Sequence, residues 1–291
     1  MNSTCFIKPA PKLERQWLAE LELTFERRAP RTVMAHMRHH GPLRVQRPFY
    51  PESDGSCHLY ILHPPGGLVM GDVLSLKASL GERANVLLTT PSAGKIYNTA
   101  EKHLLQRQHT EFFLQDHSCL EWLPQETIVF NGANCELSTR IHLQGEGQFL
   151  SWDMLRLGRA AGDLPFVAGY CQQKIEVFKE GRPLFVEKLQ LHAGSDFMSA
   201  PYGMRDADTF ATMLGTIELS KPLLLQLIAE LEQLDTDFKN HWAVTQKQQL
   251  LIIRYLGPCS LSCRKGLELA WGFLRPHFSG KRALRPRIWN T

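Results

Sequence analysis

Long hydrophobic runs are missing from this sequence of 291 residues. The longest apolar segments, 222–231 (PLLLQLIAEL) and 249–256 (QLLIIRYL), are interrupted by polar residues. Both are well short of the roughly 20 apolar residues that a membrane-spanning helix needs. The opening residues, MNSTCFIKPAPKLERQW, also lack the apolar core of a secretory signal peptide. We therefore expect a cytoplasmic protein that does not insert into a membrane.

Nucleotide-binding and hydrolytic motifs are absent as well. The pair Gly94 and Lys95 in PSAGKIYNT does not form a P-loop. Thr89 stands where the first glycine is needed, and Ile96 stands where Ser or Thr must follow the lysine. The sequence also lacks GxGxxG, GxSxG and HExxH. We therefore expect a chain that is not an enzyme and that does not transfer phosphate.

Concentrated positive charge and metal-binding spacings are also scarce. A formal charge of +4 and a pI near 8.7 fall short of what nucleic-acid binding needs. The seven cysteines are scattered, and CSLSC lacks the spacing of a structural zinc site. In HMRHHG, strand alternation would place His36 and His40 on one face and His39 on the other, so exposed histidines are the better interpretation. We expect no tight metal site and no tightly bound cofactor.

What the sequence does contain is a period of two. LELTFER (21–27) and CELSTRIHL (135–143) alternate apolar and polar residues, as half-buried strands do. In KIEVFKEGRPLFVEKLQL (174–191), Glu180, Gly181 and Arg182 can reverse the chain between two strands. Many short strands at close spacing predict a mainly β fold, which could be a sandwich, a barrel or a coil of sheets. No repeat or linker divides residues 1–291, so we predict a single domain.

The C-terminal third changes to helical spacing. Residues 221–238 place five aliphatic side chains on one face, with Pro222 suited to the first turn. Residues 262–277 read as a second helix that stops near Pro276, with Leu267, Trp271 and Leu274 on its buried stripe. We therefore predict about two α-helices, both late in the chain.

Three acidic residues stand in apolar or glycine-rich surroundings. Asp72 closes HPPGGLVMGD, Asp153 follows a tryptophan in FLSWDMLRLGR, and Glu187 lies in LFVEKLQL. A buried carboxylate needs a cation, backbone donors or a metal, because burying it alone costs several kcal/mol. Structural salt bridges, for example with Arg156 or Arg159, and a functional role are equally good explanations on the sequence alone.

Several ordered segments resemble the urease accessory proteins called UreD, or UreH in some organisms. They are GPLRVQRPFYPE leading to CHLYILHPPGGLVMGD, then LLTTPSAGKIYN and LEWLPQETIVF, then SWDMLRLGRAAGD, and finally RPRIWNT. In order and spacing they cover nearly the whole chain. Two departures concern loop conformation: Met70 stands where the family often has glycine, and PSAGKIY replaces PGATKFY. A side chain at Met70 argues against a positive φ there.

The resemblance implies a urease maturation factor without catalytic activity. Proteins of this family bind apo-urease, the helical protein UreF and, through it, the GTPase UreG, and together they deliver nickel to the urease active site. It also implies a helix-like winding of many short strands in stacked sheets, two copies of the chain in a larger complex, and nickel in transit through an internal tunnel.

The resemblance also assigns roles to residues, which we state as expectations. Asp72, Asp153 and Glu187 would line the nickel path, since carboxylates bind nickel without holding it tightly. The terminal segment would dock on UreF. The matching loops contribute His63, Gly66, Gly67, Thr90, Lys95, Tyr97 and Arg159, and the docking segment contributes Arg285, Arg287, Ile288 and Trp289.

Two alternatives stay open. One is a metal-dependent hydrolase that uses His63 and Asp72 beside His36 and His40. The other is a purely structural support for UreF, in which no interior carboxylate matters. Tightly retained metal would favour the first, and normal nickel loading after removal of the three carboxylates would favour the second.

Overall fold

The strands follow directly from the alternating pattern. The computed structural model describes residues 17–99, 104–234 and 241–290. In β1 (Leu18–Arg28) every second residue from Ala19 to Phe25 is buried, as expected for a strand with one face on a core. The predicted hairpin is present as well: Glu180 and Gly181 both have positive φ, at 50° and 73°, and join two antiparallel strands. A turn with two such residues matches the twist of the strands that flank it.

Two sheets contain the strands of the described residues. The first sheet has seven strands, which in pairing order are β14 (Arg182–His192), β13 (Tyr170–Lys179), β11 (Asn134–Leu143), β8 (Gln106–Leu114), β5 (Val73–Leu80), β1 (Leu18–Arg28) and β2 (Arg31–His40). The second has ten, of which the main path is β16 (Trp242–Lys247), β17 (Leu250–Gly257), β15 (Thr209–Gly215), β12 (Gln148–Leu157), β9 (Cys119–Leu123), β6 (Asn85–Thr89), β4 (Cys57–Leu62) and β3 (Arg44–Val45). The two short strands β7 (Gly94–Ile96) and β10 (Thr127–Val129) pair with each other, and β10 also pairs with β12.

The chain winds between the two sheets like a helix. From β4 to β13 the longer strands enter the second and first sheets in turn: β4, β6, β9 and β12 pair in parallel in one sheet, and β5, β8, β11 and β13 do so in the other. Each passage across and back adds one strand to each sheet. The prediction of a mainly β fold, with a helix-like winding of stacked sheets, is confirmed. Of the three architectures that the strand pattern allowed, the described residues form the coil of sheets.

Two cores lie on the two sides of the second sheet. One fills the space between the sheets, with Phe25, Phe112 and Phe149 fully buried in it. The other fills the space between the second sheet and the helices and contains Trp152 and Trp271. Because both faces of the second sheet are covered, all seven residues of β15 are buried, and no alternation is visible there.

The two predicted helices are present, with different ends. Helix α1 runs over Lys221–Gln233, and the predicted extension to 238 includes residues 235–238, which lie outside the described residues. Helix α2 runs over Ser260–Ser279, longer than the predicted 262–277. Pro276 does not stop it, because the proline falls in the last turn and its carbonyl accepts a hydrogen bond from Gly280 N at 3.0 Å. Gly280, at φ 70°, forms the left-handed C-terminal cap.

A one-turn 3-10 helix, Arg287–Asn290, follows α2 near the end of the chain. Another, Asp196–Met198, follows β14. Within the described ranges, none of the helices is both long enough and apolar enough to pass through a bilayer.

Candidate functional site

Two neighbouring cavities lie between the sheets. The larger, of about 380 Å³, is lined by the loops that follow β4 and β6 and by residues of both sheets. The smaller, of about 30 Å³, has room for a water molecule or an ion and is lined by β8, β11 and β13 from the first sheet and β12 from the second. Their linings share five residues, which are Gln108, Trp122, Pro124, Gln125 and Thr127. The two cavities are therefore adjacent along the interior of the winding.

The loop HPPGGLVMGD forms one wall of the larger cavity. His63, Gly66 and Leu68 line it. Gly67 is required by close packing, because a Cβ atom there would lie 2.4 Å from the Tyr97 ring and 2.7 Å from Lys95 O. Positive φ occurs at Gly66 and Gly71, the latter directly after Met70, but not at Met70 itself. The positive φ angles of this loop therefore fall on glycines, and the side chain of Met70 does not disturb them.

Asp72 ends this loop and is 5% exposed. Its Oδ2 accepts a hydrogen bond from Val69 N at 2.9 Å, which closes the turn. Burial raises the pKa of this carboxyl, although backbone hydrogen bonds from Val69 and Trp17 oppose the rise. Asp72 is in the lining of neither cavity and has no ion pair with a described residue. The observed contacts give it a role in fixing the loop.

The loop TTPSAGKIY forms the facing wall. Thr90 Oγ1 accepts a hydrogen bond from Gln125 N at 2.9 Å, so this loop is tied to the segment that follows β9. Lys95 lines the larger cavity from β7, and its carbonyl accepts a hydrogen bond from Leu68 N at 2.8 Å. Tyr97 packs edge-on against Phe130, with ring centroids 5.1 Å apart. The family motif residues of the two loops are thus brought together around one cavity.

Asp153 lies in the smaller cavity. The cavity also presents the hydroxyl of Thr139 and the amide of Gln173, whereas the hydroxyl of Ser138 lies on the opposite face of β11, 2.8 Å from His109 Nδ1. Burial raises the pKa of Asp153 to about 6, and a hydrogen bond with Thr139 opposes the rise. The salt-bridge interpretation does not apply to this acid among the described residues, because Arg156 pairs with Asp208 at 2.5 Å instead. Asp153 therefore has no cationic partner in the part of the chain that the structure describes, and it faces a polar cavity.

Glu187 approaches Asp153 from the other sheet. Thr212 is the register partner of Asp153 between β12 and β15, so the two side chains lie on the same face. Thr212 Oγ1 donates to Glu187 Oε1 at 3.1 Å, and Glu187 also pairs with Arg254. Glu187 therefore has a cationic partner, which is the contact that the salt-bridge interpretation expects. The structure brings Asp153 and Glu187 together through Thr212 and leaves Asp72 apart from them.

The remaining sequence candidates lie on the surface. His36, His39 and His40 are exposed on β2, as the strand alternation favoured. Among residues 17–99, 104–234 and 241–290, no three His, Cys, Asp or Glu side chains are placed to hold a metal ion. Arg159 is exposed and lines a separate surface groove of about 340 Å³. The geometry that the hydrolase alternative needs, two of these histidines beside His63 and Asp72, is not observed.

The terminal tryptophan, which was predicted to take part in docking, packs against its own chain. Trp289 is buried within its own chain, between Trp152 and Trp271, with ring centroids 5.8 and 5.6 Å away. Its indole N–H donates to Thr89 Oγ1 at 2.8 Å, and the guanidinium of Arg285 lies 5.6 Å from its ring centroid. The ring therefore anchors the tail to its own chain. The second sheet and α2 bury the indole, so no partner protein is needed for its burial. Of the predicted docking residues, Arg285 and Arg287 stay exposed.

One buried network was missed by sequence reasoning. Arg275 in α2 is fully buried and contacts Glu121 at 2.9 Å and Glu52 at 2.6 Å. Glu52 also contacts His58 at 2.6 Å, and Trp271 donates to Glu121 at 2.6 Å. Burial opposes ionisation of Glu52, yet hydrogen bonds from His58 and Arg275 lower its pKa to about 2. The signal in the sequence was an arginine on the apolar stripe of α2, one turn after Trp271.

Comparisons with known proteins agree over nearly the whole chain. A family model described as UreD urease accessory protein matches residues 18–290. The urease accessory protein UreD of Saccharophagus degradans is 48% identical over 289 residues, which are 99% of this chain and 97% of that protein. The UreD proteins of Chromohalobacter salexigens and Marinobacter nauticus are each 41% identical, over 95% and 96% of this chain and 90% and 94% of theirs. The chain therefore belongs to the UreD family of urease accessory proteins, and its role is in urease maturation.

Proposed function

We propose that this chain is a non-catalytic scaffold that binds apo-urease and the accessory proteins UreF and UreG and conducts nickel to the urease active site. Asp153 is the observation that carries the proposal. It is a carboxylate without a cationic partner among the described residues, and it faces a cavity with room for an ion. A purely structural scaffold has no need for such a group, since an uncompensated buried carboxylate costs stability.

The ion route that we propose runs from Asp153 past Thr212 to Glu187. The hydroxyls of Thr139 and Thr212 and the two carboxylates offer oxygen ligands in succession. Oxygen groups of this kind replace part of the hydration shell of an ion and bind nickel more weakly than a cluster of His or Cys would. Arg254 pairs with Glu187 at the end of the route, so the ion must displace that cation or share the carboxylate with it. Asp72 stays a predicted member of the path.

Binding of partners has support at the surface. Leu164 and Val167 are exposed beside the surface groove, and Tyr202 is 81% exposed next to Phe197. Exposed apolar residues that share a groove are typical of protein interfaces. We propose a cytoplasmic complex of two copies of this chain with UreF, UreG and apo-urease, and no binding to nucleic acid or membranes.

The test is nickel transfer by Asp153→Asn in cells that lack their own copy of the gene. We expect the variant to assemble with its partners while the urease formed contains less nickel, at limiting nickel concentration. Glu136→Gln is the matched control, because Glu136 lies on β11 on the opposite face from Thr139 and pairs with Arg107. Wild-type nickel content in urease matured by Asp153→Asn would favour the purely structural scaffold, and loss of the complex would show that the variant acts through assembly.

A further inference from the structure

A row of side chains on the second sheet leads from Asp153 to the surface. Asp153, Thr212 and Arg254 are register partners on β12, β15 and β17, so their side chains share one face of the sheet. Contacts of Thr212 and Arg254 with Glu187 show that this face is turned towards the first sheet. Thr212 is 5% exposed, whereas 46% of the Arg254 side chain is accessible. The row therefore passes a buried residue and ends at a half-exposed one.

A matching row on the first sheet lies opposite. Thr139, Ile175 and Glu187 are register partners on β11, β13 and β14. At one end of the two rows Thr139 forms a hydrogen bond with Asp153. In the middle Ile175 is 3% exposed, and at the other end Glu187 contacts Arg254. The two rows are thus opposite walls of the proposed ion route, and Glu187 and Arg254 stand at its outer end.

Both carboxylate oxygens of Glu187 are occupied at this outer end. Thr212 Oγ1 donates to Oε1 at 3.1 Å, and Arg254 Nη2 donates to Oε2. An ion has to displace one of these donors before it can bind Glu187. A divalent cation that passes in either direction also comes close to the positive charge of Arg254, which repels it. The pair therefore opposes passage both by occupying the carboxylate and by its exposed charge.

We propose that the Glu187–Arg254 pair is a gate that keeps the route closed in the free chain, with Arg254 as the residue that controls passage. The inference concerns regulation of the route, and in this it rests on the proposed function. Its structural content is narrower: small molecules from solvent reach residue 153 slowly while the pair is intact and faster once it is broken. Because a partly exposed ion pair opens readily, the gate slows passage and does not block it.

Access to residue 153 measures the gate in the full chain without nickel or partners. Asp153→Cys places a thiol at the inner end of the route. Its rates of modification by methyl methanethiosulfonate, which is neutral, and by the aminoethyl analogue, which is cationic, are followed by mass spectrometry of the peptide that contains this residue. Adding Arg254→Gln should raise the neutral rate by roughly fivefold, the most that a partly exposed pair supplies. The cationic rate should rise by more, because a repelling charge is removed as well.

Control variants are made in the same background. Arg38→Gln breaks an ion pair with Glu22 on the outer face of the first sheet, so it should leave both rates unchanged. Arg254→Lys keeps the charge at the outer end and should hold the cationic rate near that of the parent variant. Thermal unfolding checks that each protein folds. If Arg254→Gln does not fold, Glu187→Gln takes its place with the same expected increase in the neutral rate.

Two outcomes would overturn the gate. Equal rates with and without Arg254→Gln would mean that residue 153 is reached by another way, such as the larger cavity. An equal increase with Arg38→Gln would mean that loss of any ion pair loosens the sheets. Neither measurement involves nickel, so normal nickel transfer by Asp153→Asn would remove the ion path and leave the accessibility result standing. Failure of the gate and failure of nickel conduction are therefore separate results.

Discussion

Trp289 donates its indole N–H to Thr89 Oγ1 at 2.8 Å across 200 residues of sequence. Thr89 ends β6, and its own hydroxyl contacts Leu123 O at the end of β9. The last turn of the chain is thereby fixed to the ends of two neighbouring strands, which lead into the loop that carries Thr90 and into the segment that carries Gln125. The tail thus packs on the face of the second sheet that is turned towards the helices, opposite the face that borders the cavities.

Removing the Trp289 ring should destabilise the protein strongly. We expect Trp289→Ala to lower the free energy of unfolding by about 3–5 kcal/mol, as for other buried aromatic rings. Trp289→Phe keeps most of the ring contacts and loses the hydrogen bond to Thr89, so about 1–2 kcal/mol is expected. Denaturant unfolding measures both. A change below about 0.5 kcal/mol for Trp289→Ala would mean that the tail does not stay packed in solution.

The docking hypothesis for the tail now depends on its exposed arginines. Arg287→Ala should leave unfolding unchanged within about 0.5 kcal/mol, because the side chain is exposed. If the tail docks on UreF, the same variant should weaken capture of UreF in a pull-down assay. Lys221→Ala, at the exposed start of α1, is the matched control. Equal capture by Arg287→Ala and the control would remove UreF docking from the tail.

Asp153 should lower stability near neutral pH. Its folded pKa of about 6 lies above the ordinary value of 3.8, so the folded state holds the proton more tightly than the unfolded chain does. Stability therefore falls as pH rises from about 4 to about 6, by at most about 3 kcal/mol, and levels off above that. Asp153→Asn should remove this dependence and be more stable than the wild type at pH 7. Unfolding titrations at several pH values decide this, and identical curves for the two proteins would contradict it.

The same pKa gives nickel transfer a pH dependence. Under the proposed function, protonation of Asp153 below about pH 6 removes the negative charge that attracts the ion. Transfer in a reconstituted complex should therefore decline below that pH, provided that the complex itself stays assembled. Glu136→Gln should follow the wild-type profile. A flat profile for the wild type between pH 5 and about pH 7 would exclude Asp153 as a titrating group on the path.

Breaking the Arg275 network should cost more than breaking a surface ion pair. Arg275→Ala leaves Glu52 and Glu121 buried without their cation, so we expect a loss of about 3–5 kcal/mol. Arg28→Ala, which removes an exposed pair with Glu26, should change stability by less than about 1 kcal/mol. Because the pKa of Glu52 is lowered from 4.5 to about 2, its contribution is present above about pH 4.5 and is lost as pH falls towards 2. Similar losses for both variants would contradict the network.

Gly67 and Gly272 offer a paired test of loop packing. Alanine at Gly67 would collide with Tyr97 and with Lys95 O, so we expect a loss of about 1–3 kcal/mol. Alanine at Gly272, in α2, meets no atom within 4 Å and should stabilise the helix by up to about 1 kcal/mol. Thermal unfolding of the two variants gives the comparison. Tolerance of alanine at Gly67 would mean that the loop can move away from Tyr97.

The sequence by itself determined the local structure. Alternation located strands such as β1 and β11, and the spacing of aliphatic residues located both helices, because burial of one face leaves a periodic pattern. The ordered motifs also identified the UreD family. Strands buried on both faces, such as β15, showed no alternation, and Pro276 indicated too early an end for α2, since a proline in the last turn is tolerated when a glycine cap follows it.

Only the tertiary structure decided which residues meet. Asp72, Asp153 and Glu187 looked alike in the sequence, yet one closes a turn, one faces a cavity and one forms an ion pair. Trp289 and Arg275 gained buried partners from strands distant in the chain. Such contacts depend on how the winding aligns successive strands, and a linear pattern that reports which face of a strand is buried carries no information about what lies opposite.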